Sequence, residues 1–154
     1  MEYLIVKTLH ILSSTLLFGT GIGTAFFQWM ACRRGDVAAI AVTTRHVVLA
    51  DWLFTTPAIL LQPLTGFWLM RLMGLSWDTP WVLWALGLYL LAGACWLPVV
   101  WIQYRLRDLA QAAVAARTPL PPRFHRLLRV WFVLGWPAFG ALIVVFWLMV
   151  AKPA

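Results

Sequence analysis

Charged residues are scarce in this sequence, and their scarcity excludes most soluble classes of protein. Asp, Glu, Lys and Arg together make up 11% of the 154 residues, whereas about 25% is typical of soluble domains. A soluble domain with 63% hydrophobic residues would lack the polar surface that keeps it dispersed. The same hydrophobic content excludes intrinsic disorder, because disordered chains are poor in apolar residues. The composition therefore indicates an integral membrane protein.

Cysteines and recognisable catalytic motifs are also sparse. The chain has two cysteines, Cys32 and Cys95, and their predicted depths in the membrane differ too much for a disulfide. The sequence contains no phosphate-binding loop, nucleophile elbow, zinc-ligand spacing or catalytic-triad pattern. These absences argue against a hydrolase, which would need a nucleophile with its base and acid.

What the sequence does contain is four long apolar runs. A membrane-spanning helix needs about 20 mostly apolar residues, and such continuous runs do not suit the alternating strands of a membrane barrel. The runs extend over about Leu4–Met30, Val47–Met73, Trp81–Tyr104 and Val130–Ala151. An alanine-rich stretch predicts that the third helix continues beyond the membrane to about residue 116. We therefore predict one all-α domain over residues 1–154, an integral membrane four-helix bundle.

The basic residues are divided unequally between the two ends of this bundle. The first and third links and their flanks carry Arg33, Arg34, Arg45, Arg105, Arg107, Arg117, Arg123, Arg126 and Arg129. The opposite end carries only Lys7, Arg71 and Lys152. Basic loops favour the cytoplasmic side, so we predict that both termini face outward. The net charge of +7 then reflects contact with anionic lipid headgroups, and no nucleic-acid partner is expected.

His10 is the most informative single residue, because ionisable groups inside membranes are rare and often functional. Helical offsets place on its face a mostly small or polar set, Ser14, Leu17, Gly21, Thr24 and Gln28. A neutral imidazole there can ligate haem iron, with Ser14 and Gly21 letting a porphyrin lie close to the backbone. The alternative is a histidine that hydrogen-bonds between helices, with Gly19 and Gly23 forming a close-packing pair on an adjacent face.

Three cations share the predicted interface of His10. Lys7, Arg71 and Lys152 would lie near its depth and could bind the two propionates of a haem through charge-assisted hydrogen bonds. The alternative is that these side chains only extend their charges into the headgroup region, as long basic side chains commonly do.

Methionines are available in the same half of the bundle. Met70, Met73 or Met149 could supply the second axial ligand of a haem iron, or that position could be open. Met70 and Met73 also form an M-x-x-M spacing that Cu(I) would accept. As an alternative to both roles, methionine is an ordinary filler of apolar cores.

Asp51 lies within the second span, near its cytoplasmic end, and is not expected to face lipid. Pairing with Arg33, Arg45 or Arg129 is one expectation, and a proton relay toward a bound quinol or porphyrin is the other. His46 and His125 fall on the cytoplasmic side. The hydrocarbon between them and His10 is about 30 Å thick, so neither can share one haem with His10.

Three strings carry a resemblance to known proteins: KTLHILSSTLLFG from Lys7, TTPAILLQPLTGFWL from Thr55 and MVAKP from Met149. Over its whole length the chain resembles a family of bacterial integral membrane proteins of unknown function. The same segments look like a distant version of the HemJ-type protoporphyrinogen oxidases, small helical proteins that bind haem b. That resemblance implies a place in the bacterial inner membrane, His10 as the haem ligand and Lys152 as a functional lysine. The Asn-Glu pair that precedes a proline in the last helix of that type is replaced here, before Pro137, by Gly135 and Trp136.

The sequence as a whole predicts an inner-membrane redox protein with one haem b. It would oxidise a porphyrin-type or quinol-like donor and pass electrons to the quinone pool, with Lys152 and Asp51 as catalytic groups. One alternative is a non-enzymatic accessory or assembly subunit, packed in a homo-oligomer or a larger membrane complex. The other is a copper or small-solute membrane protein that uses its methionines.

Overall fold

The computed structural model describes residues 1–153 and is helical throughout, with short links. Its elements are α1 (Glu2–Arg34), α2 (Val37–Ala50), a π-helical turn (Asp51–Thr55), α3 (Thr56–Leu72), α4 (Pro80–Ala116) and α5 (Pro122–Ala151). The elements α2, the π turn and α3 join into one continuous helix, Val37–Leu72. Four long helices result, each long and apolar enough to cross a membrane, which confirms the predicted all-α architecture of four spans.

The helix ends follow from local chemistry. Gly35 adopts a left-handed conformation (φ 74°) and ends α1, as is usual for a glycine after the last helical residue. The Asp36 carboxylate then accepts a hydrogen bond of 2.9 Å from the Ala38 N–H and caps α2. Pro80 and Pro122 begin α4 and α5, where the missing proline N–H would have no helical partner anyway.

Two helices are longer than their apolar runs at the arginine-rich end. The second span begins at Val37 rather than Val47, so Arg45 belongs to a helix and not to a link. Likewise α5 begins at Pro122 rather than near Val130. Hydropathy detects the hydrocarbon-facing part of a helix, whereas alanine-rich or amphipathic turns continue the same helix into the polar region.

The helices pack antiparallel, so the bundle has two chemically different ends. We call the end near Glu2, Leu72, Pro80 and Ala151 the terminal end. There, a buried cluster joins α3, α4 and α5 through Met70, Trp81, Val82, Ala85 and Leu148. We call the opposite end the loop end, and its larger core contains Ala31, Ile40, Ala41, Val47, Ile102, Leu106, Ala110, Phe124 and Trp131.

The packing divides the bundle into two helix pairs. α1 lies along α2, the π turn and α3, and α4 lies along α5. The pairs are joined mainly by α2 against α4 in the loop half. In the terminal half, α1 touches α5 only lightly, through the edge-to-face rings of Phe18 with Phe139 and Phe146. The terminal half is therefore the more loosely assembled part.

The outer surface of the bundle is apolar. Leu97, Trp136 and Val150 are 66%, 78% and 85% exposed, and such large apolar surfaces are found where a protein meets lipid or a partner. Five of the six serine and threonine hydroxyls on α1 donate to carbonyls of their own helix, as when Thr8 donates to the Leu4 carbonyl over 2.8 Å. Polar groups in a bilayer need such hydrogen bonds within the protein, because the hydrocarbon contains no water to replace them.

Candidate functional site

His10 lies between α1 and α3, in the terminal half of the bundle. Its Nδ1 is 2.8 Å from the Thr65 hydroxyl oxygen, and the imidazole is partly buried. The ring lies against the backbone of α3, because a Cβ atom at Gly66 would be only 3.4 Å from the imidazole Cε1. An added Cβ would already be in van der Waals contact with the imidazole, so a side chain larger than that of alanine would meet the ring.

The hydrogen bonds of Thr65 define the tautomer of His10. The hydroxyl has one proton, and its oxygen lies 2.6 Å from the Leu61 carbonyl, which can only accept. With its proton donated there, the Thr65 oxygen accepts a hydrogen bond from Nδ1–H of His10. The lone pair of the neutral imidazole is then on Nε2, which has no hydrogen-bond partner among residues 1–153. In metal-ligating histidines, too, the nitrogen that does not bind the metal is oriented by a hydrogen bond.

Gln62 fixes the backbone beneath the imidazole. Its amide Nε2 donates to the His10 carbonyl over 2.8 Å and to the Ser13 hydroxyl over 2.6 Å. Ser13 is almost fully buried. We call His10, Ser13, Gln62, Thr65 and Gly66 the His10 site. Both helices contribute to it, so the orientation of the imidazole depends on the packing of α1 against α3.

Two small residues of the predicted porphyrin face have other neighbours in this structure. The Ser14 hydroxyl donates to the Ile11 carbonyl over 2.7 Å, within its own helix. Gly21 lies against α5, and a Cβ atom there would come within 2.9 Å of the Phe139 ring. The surface of Gly21 is therefore covered by Phe139, and the close approach that this glycine permits is that of α5.

The three predicted anchoring cations lie at the terminal end and are exposed. Lys7 places its ammonium 5.4 Å from the centre of the Tyr3 ring, and Arg71 is in the last turn of α3. Lys152 follows α5 in a left-handed conformation (φ 43°). The one ion pair among residues 1–153 is Arg107 with Asp108, at the loop end. All three cations at the terminal end are thus free of carboxylate partners within the described chain.

The methionines differ in their surroundings. Met70 is buried in the core cluster of the terminal end, whereas Met149 is 36% exposed. Within residues 1–153, no group of three or more His, Cys, Asp or Glu side chains is placed to hold a metal ion. Met70, the first methionine of the M-x-x-M sequence, therefore packs in the apolar core.

Asp51 lies apart from the His10 site, in the π turn of the second span. It forms no ion pair with residues 1–153, so the expected pairing with Arg33, Arg45 or Arg129 is wrong. Arg45 is exposed on α2, one and a half turns away from Asp51 along the helix. Its carboxyl instead neighbours Thr55 and Trp96, beside a cavity between the second span and α4.

The partners of His10 were present in the sequence but not recognised as such. The helical pattern predicts Ser14 rather than Ser13 beside His10, and it does not connect Gln62 or Thr65 with the imidazole. A helix allows neighbours at both i+3 and i+4, and the structure uses Ser13, at i+3. The available signal was the polar cluster Gln62, Thr65 and Gly66, which interrupts an apolar span at a depth matching that of His10.

His46 and His125 are both exposed and belong to the helices of the loop end. His125 stacks edge-to-face on Phe124, with ring centres 5.7 Å apart. Neither lies at the end of the bundle that holds His10. The geometry therefore keeps His10 separate from the other two histidines, as the sequence predicts.

The fold and the His10 site together define a helical multi-pass membrane protein with one polar histidine site between two of its spans. The family model described as "Predicted integral membrane protein (DUF2269)" matches residues 4–153. The chain therefore belongs to this family of integral membrane proteins. No curated protein and no solved structure matches it.

Proposed function

We propose that this protein binds one haem b in the membrane, with His10 as an axial ligand, and acts as a redox protein. The observation that carries this proposal is the hydrogen bond between Nδ1 of His10 and Thr65. It holds the imidazole in the tautomer that presents the Nε2 lone pair, which is the atom that ligates iron in histidine-bound haem. When bound, the haem supplies one-electron redox chemistry that the side chains lack.

The residues around His10 fit such a group in two respects. The imidazole is partly exposed rather than sealed, and Lys7, Arg71 and Lys152 are exposed at the same end of the bundle. These cations can hold two propionates by charge-assisted hydrogen bonds. Met149, being partly exposed, is better placed than the buried Met70 to complete the ligation. Ser14 remains beside the proposed ring, whereas contact with Gly21 would require Phe139 to move.

The resemblance to HemJ-type oxidases supports a particular version of this redox function. In that version a porphyrin-type or quinol-like donor is oxidised, and electrons pass to the quinone pool. Lys152 is then the functional lysine, at the exposed end of α5. Asp51 handles protons in the other half of the membrane, where its carboxyl lies beside a cavity.

We place this protein in the bacterial inner membrane, with both termini on the periplasmic side. The support is the distribution of charge, because the loop end carries nine of the twelve Lys and Arg residues and the terminal end carries Lys7, Arg71 and Lys152. A reporter enzyme that is active only in the periplasm, fused after the last residue, tests this orientation. An inactive fusion that is nevertheless inserted in the membrane would reverse it.

An absorption spectrum tests the haem proposal directly. The protein is purified in detergent from cells supplied with a haem precursor, and a reduced-minus-oxidised spectrum is recorded. We expect a b-type band that His10→Ala removes and that His125→Ala leaves in place, since His125 is exposed at the loop end. A haem-free wild type, or a band that survives His10→Ala, contradicts the proposal.

A second function, as a non-enzymatic subunit of a larger membrane complex, is favoured by one observation. Cβ atoms added at Gly19 and Gly23 would meet nothing within 4 Å. This G-x-x-x-G pair is therefore open to another helix, and such pairs let two membrane helices approach closely. Co-purification of a stable partner or a second copy without pigment, lost in Gly23→Leu, would support this function over haem binding.

A further inference from the structure

The cavity beside Asp51 lies between the second span and α4, in the loop half of the bundle. It has a volume of about 150 Å³, and its lining includes Asp51, Trp52, Trp96, Val100, Gln103 and Tyr104. At one side the Trp52 indole donates a hydrogen bond to the Tyr104 hydroxyl and bridges the two helices. The cavity is distinct from the His10 site, which lies in the terminal half.

The backbone next to this cavity is irregular. The Thr56 N–H donates to the Asp51 carbonyl, five residues back, which makes Asp51–Thr55 a π-helical turn. Pro57 follows directly and has no N–H to donate. Single π turns inside α-helices are frequent at functional sites. Here the wider turn carries the one carboxyl group within the apolar part of the spans.

The Asp51 carboxyl lies where polar groups of both helices come together. Thr55 and Trp96 are its hydrogen-bonding neighbours. Oδ2 of Asp51, Oγ1 of Thr55 and Nε1 of Trp96 are buried, whereas Oδ1 of Asp51 is not among these buried atoms, and Asp51 also lines the cavity. A carboxylate can accept several hydrogen bonds. A hydroxyl group placed in the cavity could therefore donate to the Asp51 carboxylate.

The shape of the cavity limits the rest of the ligand. A cavity of this volume elsewhere is known to hold one benzene ring, so about 150 Å³ accommodates a single six-membered ring. Gln103 and Tyr104 supply a second set of polar groups, seven or eight residues beyond Trp96 along α4, about 10 Å away. The ligand is therefore a ring that carries hydrogen-bonding groups at both ends.

The charges and the opening of the cavity exclude other ligand classes. None of the lining residues is Lys or Arg, so an anionic headgroup would find no opposite charge. A metal ion would need several ligating side chains, whereas Asp51 is the one carboxylate in this lining and no His or Cys belongs to it. Trp52 and Leu97 at the rim are 56% and 66% exposed on the lipid-facing surface. The ligand therefore enters from the bilayer rather than from water.

We infer that this cavity binds the ring of a lipid-soluble hydroquinone, with one hydroxyl donating to the Asp51 carboxylate and the other directed toward Gln103. The role of this hydroquinone as the redox partner of the protein rests on the proposed function. The binding itself needs neither haem nor His10.

Calorimetric titration of the full-length protein tests the inference. The probe is a decyl-substituted benzohydroquinone, kept reduced and added to protein in lipid nanodiscs. We expect saturable binding of one probe per chain, weakened about tenfold or more in Asp51→Asn. Val100→Phe, which fills the cavity, should abolish it. Two matched variants outside the cavity, Asp108→Asn and Val133→Phe, should bind like the wild type.

Two outcomes overturn the inference. One is non-saturable partitioning of the probe into wild-type nanodiscs, which would mean that the cavity holds only water. The other is unchanged binding in Val100→Phe. His10→Ala separates this inference from the haem proposal: the variant should still bind the hydroquinone while it lacks a b-type band. Loss of hydroquinone binding in a correctly folded His10→Ala would contradict the independence of the two sites.

Discussion

The hydroxyl of Tyr89 on α4 donates a hydrogen bond of 2.5 Å to the backbone carbonyl of Ile59 on α3. In an uninterrupted helix this carbonyl would accept from the N–H of residue 63, but residue 63 is a proline. A carbonyl without a partner is costly in a bilayer, because no water is available to it. Tyr89 therefore satisfies the group that Pro63 leaves free, and it ties α4 to α3 where their backbones otherwise have little contact.

Removing the Tyr89 hydroxyl should destabilise the bundle only while Pro63 is present. Tyr89→Phe should lower the free energy of unfolding by about 1 kcal/mol, within the range measured for hydrogen bonds between membrane helices. In a Pro63→Ala background, the alanine N–H can bond Ile59 instead, so the loss should largely disappear. Denaturant titration in detergent micelles measures all four proteins of this cycle. Equal losses in both backgrounds would mean that the hydroxyl does not compensate for the proline.

The sequence predicts the framework of this protein better than its sites. Four apolar runs were enough to predict four spans, because a bilayer requires long continuous helices. The start at Val37 was missed, since hydropathy does not report the turns that extend beyond the hydrocarbon. The contact of Tyr89 with Ile59 was missed as well, because it depends on how two helices are rotated against each other.

The rotation of the helices against each other also determines which site residues could be predicted. His10 could be singled out because a lone imidazole in an apolar run is unusual. Its partners on α3 depend on the rotation and depth of two spans, which composition does not determine. Gly21 is the counterexample: its smallness was read as space for a ligand, whereas the space is filled by Phe139.

Thr65 should control how tightly His10 holds haem. Thr65→Val keeps the shape of the side chain but removes the oxygen that accepts from Nδ1–H. Loss of such an orienting partner commonly weakens metal binding by about 10- to 100-fold. Transfer of haem from the purified protein to an excess of an apo-globin measures this change. Thr15→Val is the matched control, because Thr15 is exposed and donates only to the Ile11 carbonyl. Equal transfer rates in both variants would leave Thr65 without an orienting role.

A large side chain at position 66 should displace the imidazole. The ring lies over Gly66, where an added Cβ would already be in van der Waals contact with Cε1, at 3.4 Å. Gly66→Leu should therefore displace His10 and remove the b-type band, while the protein still inserts and elutes as a single species. At Gly87 an added Cβ would meet nothing within 4 Å, so the spectrum of Gly87→Leu should be unchanged. A normal band in Gly66→Leu would show that the close approach is not needed.

Two glutamines, Gln62 and Gln28, should respond in opposite ways to the same substitution. The Gln62 amide makes two hydrogen bonds to α1, to the His10 carbonyl and to Ser13. Gln62→Leu should thus cost about 1–2 kcal/mol of stability. Gln28 is 1% exposed, its amide nitrogen reaches only the Cys32 sulfur at 3.5 Å, and its Oε1 has no partner within residues 1–153. Gln28→Leu removes a polar group that is already unsatisfied, so it should be neutral or stabilising. Unfolding of both variants in the same detergent provides the comparison. A loss for Gln28→Leu as large as that for Gln62→Leu would mean that Gln28 has a hydrogen-bond partner in the membrane, such as a buried water.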